Sequence, residues 1–198
     1  GVVGNGVSLF PMFSVLEGLE LGLALRAEGK AGLQGEGQAF NERTEVGAMI
    51  EIPSAAMCAD RLAREVDFFS IGTNDLIQYA IAVDRVNDRI AHLYQPTHPA
   101  VLGFLKMVAD AAHAHGIWVG VCGEMAGDLV LVPLLLGLGM DELSVGAALV
   151  PRVKRVVQSL TLSEGQKLAE EVHRLDTPSA ILARCTEIAQ AHYAVLLA

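Results

Sequence analysis

The chain has 198 residues, of which 52% are apolar, 5% aromatic and 19% charged, with a formal net charge of −9. It is long enough to bury a core of its own and too aliphatic for disorder. It is also too acidic to present a general nucleic-acid or anionic-membrane surface.

Five short apolar runs read as strands: residues 7–12, 46–52, 66–71, 117–122 and 142–145. They are near-continuously apolar rather than alternating, as expected of parallel strands covered on both faces. Between the first two, "EGKAGLQGEGQAFNERT" (28–44) is Gly-rich and polar and predicts an exposed loop. "SAAMCADRLAREV" (54–66) follows Pro53 and predicts a helix capped by Ser54. A second helix is predicted over 99–116, with Pro99 in its first turn and Gly116 past its end, and a third over 128–139. The tail from Ser163 to Ala198 predicts one or two more. Cys58, Cys122 and Cys185 lie far apart without a CxxC pair, which reads as reduced thiols in a cytoplasmic protein. No run approaches ~18 uninterrupted apolar residues, so no membrane span is expected.

Strand–helix alternation predicts a parallel α/β architecture of (β/α)8 TIM-barrel type, with about the last five strands present, since such barrels take ~250 residues. Residues 1–160 would form this partial barrel and 161–198 a helical tail packed on it.

Two acids stand where strands leave the interior. Glu51 closes "VGAMIE", and Asp75 follows "VDFFSIGTN". One helix separates the two strands, so they should be parallel neighbours ~4.8 Å apart, with both carboxylates at the C-terminal edge where α/β proteins build sites. Two hard oxygen ligands with room for water suit Mg²⁺. Each acid alone is equally explained as a helix cap; their equivalent placement favours the metal. Cys122 ends a third strand and is followed by "GEMAGD", which brings a thiol and Glu124 to the same edge. A lone apolar-flanked cysteine is more often an inert core residue, and only its strand-end position points to a functional thiol. Arg85, ten residues past Asp75, is either a surface ion-pair partner or a planar fork for an anion. Asp84 and Asp88 read either as further acids of the site or, more simply, as supports of Arg85 and that loop. His92 and His98 read as loop or packing residues, and His113 and His115 as cations at a helix end.

"GAMIEIPSAA" (47–56), "VDFFSIGTNDLIQYAIAVDRVND" (66–88), "HLYQPTHPAV" (92–101) and "WVGVCGEMAGD" (118–128), with "FPM" (10–12) and "LLGLGMDELSVGAALVPRVK" (135–154), resemble in order the signatures of phosphoenolpyruvate-utilising enzymes. They are most similar to the C-terminal domain of enzyme I of the phosphoenolpyruvate–sugar phosphotransferase system. The resemblance implies a (β/α)8 barrel that binds phosphoenolpyruvate and Mg²⁺. Glu51 and Asp75 would be metal ligands, and Asn74 and Asp75 substrate contacts. Arg85 would bind the phosphate, and Cys122 would protonate the enolate at its methylene carbon. It further implies a cytoplasmic homodimer that passes a phosphoryl group from a histidine on another domain to a histidine-containing phosphocarrier protein for sugar uptake.

No segment here matches the family's phosphohistidine domain or its two upstream phosphate-binding arginines, and "LSVGA" stands where a "SMSA"-like pattern is usual. The expectation is therefore a partial chain that does not turn over alone and exposes an unpaired sheet edge. Two other readings stand beside this one: a barrel of the pyruvate phosphate dikinase or phosphoenolpyruvate synthase type, and a non-catalytic dimerisation and ligand-binding module.

Overall fold

Four of the five apolar runs become parallel strands of one sheet: β1 (Gly47–Ile50), β2 (Phe68–Gly72), β3 (Trp118–Cys122) and β4 (Glu142–Leu143), in spatial order β1-β2-β3-β4. The computed structural model describes the backbone of residues 15–197 and the side chains of residues 22–197, so the run at 7–12 and "FPM" lie outside the described residues. Strand order follows chain order, and a helical connection joins each pair, as parallel pairing requires.

The sheet has two unlike faces. Ile50, Phe69, Ile71, Val119 and Val121 are fully buried on one of them. Met49, Phe68, Ser70, Trp118 and Cys122 point to the other, where Met49 stays 48% exposed. The near-continuous apolar runs predicted cover on both faces; among the described residues only one is fully covered. Phe68 and Trp118 fill the lower part of the open face by stacking on each other, with ring centroids 4.2 Å apart.

The covering helices follow sequence logic with informative departures. The helix predicted over 54–66 is two short ones, α2 (Pro53–Met57) and α3 (Ala59–Leu62), broken at Cys58. Pro53 occupies the first helical position, so Ile52 is the cap and Ser54 lies inside the first turn. After β2 comes α4 (Thr73–Ile81), entered directly from Gly72. A single 3₁₀ turn, Ala91–Leu93, leads to α5 (Pro99–Ala114). There His98, expected to be a loop or packing residue, caps the helix: its Nδ1 accepts from the Ala100 N–H at 3.1 Å. α5 carries Val101, Leu105, Val108 and Ala112 into the core against α2, α3 and β3.

The stretch 28–44 is helical through Gly35, because α1 spans Val15–Gly35. Glu28, Lys30, Ala31, Leu33 and Gln34 are good helix formers, and they outweigh the interspersed glycines. The remainder, 38–44, is irregular and folds back on α1, where Lys30 donates to the Glu42 carbonyl at 2.9 Å. The region predicted as a helix over 128–139 contains α7 (Val132–Gly137), preceded by a short α6 (Glu124–Gly127).

Three helices close the chain: α8 (Val150–Gln158), α9 (Leu162–Val172) and α10 (Pro178–Leu197). α9 starts with a reciprocal capping box between Thr161 and Glu164 and lies directly on α7. A Cβ on Gly137 would fall 1.9 Å from the Gly165 carbonyl oxygen, so the two backbones touch with no side chain between them. Leu168, Ala169, Val172, Ile181 and Cys185 join the same core as the sheet. Among the described residues no helix is long and apolar enough to cross a membrane.

Candidate functional site

The register of the first three strands aligns their C-terminal ends. Ile50 pairs with Ile71 and Gly72 with Cys122, so Glu51, Gly72 and Cys122 stand side by side at one level of the open face. Gly72 makes room between the other two. A Cβ there would lie 2.9 Å from Glu51 Cβ, 3.0 Å from Glu51 Oε2 and 3.3 Å from Met49 Sδ.

Asp75 sits in the first turn of α4, above the end of β2. The Glu51 carboxyl is pushed above its usual range, first by burial and then by the negative charge of Asp75. The two acids therefore stand near enough for the charge of one to act on the other. Among the described residues no group of three or more His, Cys, Asp or Glu side chains clusters as a metal cage. What exists is a pair of hard oxygen donors that repel each other at an accessible edge, a donor set that fits Mg²⁺ with positions left for other oxygens.

Cys122 is held from three sides. Its thiol donates to the Ile71 carbonyl at 3.4 Å, the Ser70 hydroxyl donates to its sulfur at 3.6 Å, and Met49 Sδ lies 3.9 Å away. It is half-buried, so its position is open to a ligand on the uncovered face.

The ends of β2 and β3 are laced together. Thr73 is fully buried, and its hydroxyl donates to the Cys122 carbonyl at 2.8 Å. The Asn74 Oδ1 accepts from the Glu124 N–H at 3.1 Å. A backbone N–H admits only the oxygen there, so the orientation of the carboxamide is fixed and its NH₂ is the group offered elsewhere. Gly123 lies between, at φ 92° and ψ −175°. That region is essentially glycine's alone, and a Cβ would also lie 2.6 Å from Thr73 Oγ1 and 2.9 Å from Asn74 Oδ1.

Arg85 returns to the same edge because the chain reverses after α4 through Ala82 at φ 53°. Its guanidinium lies 3.8 Å from the Glu124 carboxylate, which is largely exposed. Asp84 supports the loop as expected, its Oδ1 accepting from the Val86 N–H at 3.0 Å. His113 and His115 serve the opposite part of the fold, with Nε2 atoms 2.9 Å from Asp141 Oδ2 and 2.8 Å from Asp60 Oδ1.

Sequence reasoning missed Thr73, Ser70 and Tyr94. The Tyr94 hydroxyl donates to the Asn74 carbonyl at 3.3 Å. Burial, with smaller contributions from the Glu124 and Asp75 charges against that of Arg85, pushes its phenol up to about 12. Thr73 was legible as a neighbour of Asn74 and Asp75; nothing in "HLYQPT" marked Tyr94.

The carboxylate pair, the thiol and the arginine thus lie at the C-terminal ends of parallel strands, the edge where α/β proteins build their ligand sites. Residues 3–162 match the family described as PEP-utilising enzyme, PEP-binding domain, and the chain belongs to that family. It is 47% identical over 181 residues to a phosphoenolpyruvate-protein phosphotransferase of Listeria monocytogenes, covering 91% of this chain and 32% of that protein. Over 180 residues it is 45% identical to the Bacillus subtilis protein of the same name (91% and 32%). Over 173 residues it is 48% identical to that of Haemophilus influenzae (87% and 30%). The chain spans about a third of the length of these curated relatives.

Proposed function

We propose that this chain is the phosphoenolpyruvate-binding part of a phosphoenolpyruvate–protein phosphotransferase, enzyme I of the sugar phosphotransferase system. In this reading the four-stranded sheet is an arc of a (β/α)8 barrel. Residues 1–160 form the barrel segment and 161–198 a helical buttress, supported by the contact of α9 on α7. The observation that carries the proposal is the convergence of Glu51, Asp75, Asn74 and Cys122 on one strand edge, in a chain that shares its family with the phosphotransferases.

Glu51 and Asp75 are the residues that would hold Mg²⁺, which when bound neutralises charge on the phosphoryl and enolpyruvate oxygens. Arg85 exchanges its weak contact with Glu124 for the phosphate, to which its planar fork is better matched. Asn74 offers its NH₂ to a ligand oxygen. The P–O bond to the enol oxygen breaks as a P–N bond forms to a histidine elsewhere in the longer protein. The thiol proton of Cys122 then moves to the methylene carbon, so that an S–H bond breaks, a C–H bond forms and the electron pair stays on sulfur. The products are pyruvate and a phosphohistidine that passes its phosphoryl group to a histidine-containing phosphocarrier protein. A cytoplasmic homodimer completes this reading. The named relatives are all phosphotransferases, which favours it over a pyruvate phosphate dikinase or phosphoenolpyruvate synthase.

Calorimetric titration of the full-length protein with phosphoenolpyruvate and Mg²⁺ tests the proposal. Glu51→Gln should weaken Mg²⁺-dependent binding more than about 10-fold, since even outer-shell partners of metal sites cost 10–100-fold. Cys122→Ala should keep binding and lose pyruvate formation. Binding that is independent of both Mg²⁺ and Glu51 would sink the proposal.

A further inference from the structure

We infer that Tyr94 is a positioning residue, holding the first turn of α4, and with it Asn74 and Asp75, at the height where they face the ligand beside Arg85. The inference rests on the function proposed above and adds a residue to that site.

Charges on three separate segments act on the phenol: Asp75 on α4, Arg85 in the loop after it, and Glu124 on α6. Its one direct bond among the described residues, to the Asn74 carbonyl, runs to the residue between Thr73, tied to β3, and Asp75, half of the carboxylate pair. A hydroxyl that keeps its proton up to about 12 remains a donor throughout the neutral range, so this bond does not switch with pH.

The segment behind Tyr94 is bonded to itself. The Ala91 N–H donates to the Asn87 carbonyl at 2.9 Å, the Leu93 N–H to the Ile90 carbonyl at 2.8 Å and the Tyr94 N–H to the Ala91 carbonyl at 3.0 Å. Three residues on, Thr97 is 5% exposed, and its hydroxyl donates to the Pro178 carbonyl at 3.0 Å, anchoring the segment to the start of α10. The turn that carries Arg85 and the turn that carries Tyr94 are thus one self-bonded stretch pinned from behind. The tyrosine ring packs on the main core, and its hydroxyl reaches the Asn74 carbonyl. A side chain placed this way fixes a neighbour's position more than it fills space.

The test is Tyr94→Phe in the full-length protein, with Tyr94→Leu as the harsher variant. Phe keeps the ring and removes the one hydroxyl. Two quantities are read: the dissociation constant for phosphoenolpyruvate with Mg²⁺, and hydrogen exchange of the amides in the first turn of α4. Tyr94→Phe should weaken binding about 2- to 10-fold, the range one lost neutral hydrogen bond produces. It should speed exchange at residues 75–78 by a similar factor and leave α5 and β3 unmoved. Leu should exceed Phe in both readouts. Faster exchange in a protein whose wild type binds no phosphoenolpyruvate would keep the positioning bond and reject the proposed function. Unchanged affinity in Tyr94→Phe, where the wild type binds, overturns the inference. Weakened affinity with unchanged exchange overturns it too, by making Tyr94 a direct ligand contact.

Discussion

Replacing Gly123 with alanine attacks the joint between β2 and β3. At φ 92° and ψ −175° an L-residue is strained by about 1–3 kcal/mol. The added methyl must also share space with Thr73 Oγ1 at 2.6 Å and Asn74 Oδ1 at 2.9 Å. Overpacking of that kind typically costs about 1–3 kcal/mol. The two together come to about 2–6 kcal/mol. At about 2–4 °C per kcal/mol for a chain of this size, the midpoint of thermal unfolding falls by about 4–24 °C. Calorimetric melting of the single variant, of Thr73→Ala and of the double variant separates the two causes. Thr73→Ala removes the nearer of the two crowded atoms, so Gly123→Ala should cost about 0.5–3 kcal/mol less in that background. Gly103 supplies the control: it lies within α5 with nothing inside 4 Å of a built Cβ. Gly103→Ala should therefore stabilise by about 0.5–1 kcal/mol. If Gly123→Ala melts with the parent, or costs the same in both backgrounds, the lacing of the two strand ends by Thr73 and Asn74 is not what the contacts imply.

Two further predictions concern the buttress. Gly137→Ala places a methyl 1.9 Å from a backbone carbonyl that has no flexible end to move, so α7 and α9 must separate. A loss of more than about 3 kcal/mol in denaturant unfolding is expected. Glu164 is held below the usual carboxylate range by the Thr161 N–H and hydroxyl. A carboxyl with a depressed folded pKa stabilises above the pH at which the unfolded side chain titrates, and that contribution is lost as pH falls through the folded value. Glu164→Gln should therefore lower the melting midpoint at pH 7, and the difference from wild type should close below about pH 4.

The parts of the fold that were legible are those set by runs and punctuation. Four strand positions followed from apolar runs, and α5 from Pro99 and Gly116 at its ends. The break at Cys58 was not legible, because residues on both sides keep helical spacing and only the packing of two short helices on α5 separates them. Nor was the helicity of residues 28–35, where glycine count argued for a loop and side-chain propensity prevailed. In the site, Glu51, Asn74, Asp75, Arg85 and Cys122 were each marked by a polar or reactive group just past an apolar run. Ser70 and Tyr94 were hidden for opposite reasons. Ser70 sits inside a strand, where a small hydroxyl passes for filler; its bond to Cys122 needs the pairing register. Tyr94 reaches Asn74 from 20 positions away, a contact that only the turn after α4 creates.

The electrostatics of Glu51 bear on what the edge is for. A carboxylate half-removed from water beside a second carboxylate raises the energy of the folded chain, and here its own pKa rises in response. Among the described residues neither Glu51 nor Asp75 takes part in an ion pair, although Arg85 lies at the same edge and pairs with Glu124 instead. A fold selected only for stability would turn Arg85 toward the acids or replace one of them, since a like-charged pair contributes nothing to the core. Local cost of this kind is what the proposed metal site would carry when empty. A divalent cation removes that cost on binding, so Mg²⁺ should be held more tightly by the acid pair than by either carboxylate alone. Under the function proposed above, Arg85 would give up its 3.8 Å contact with Glu124 for an anionic group at the same edge.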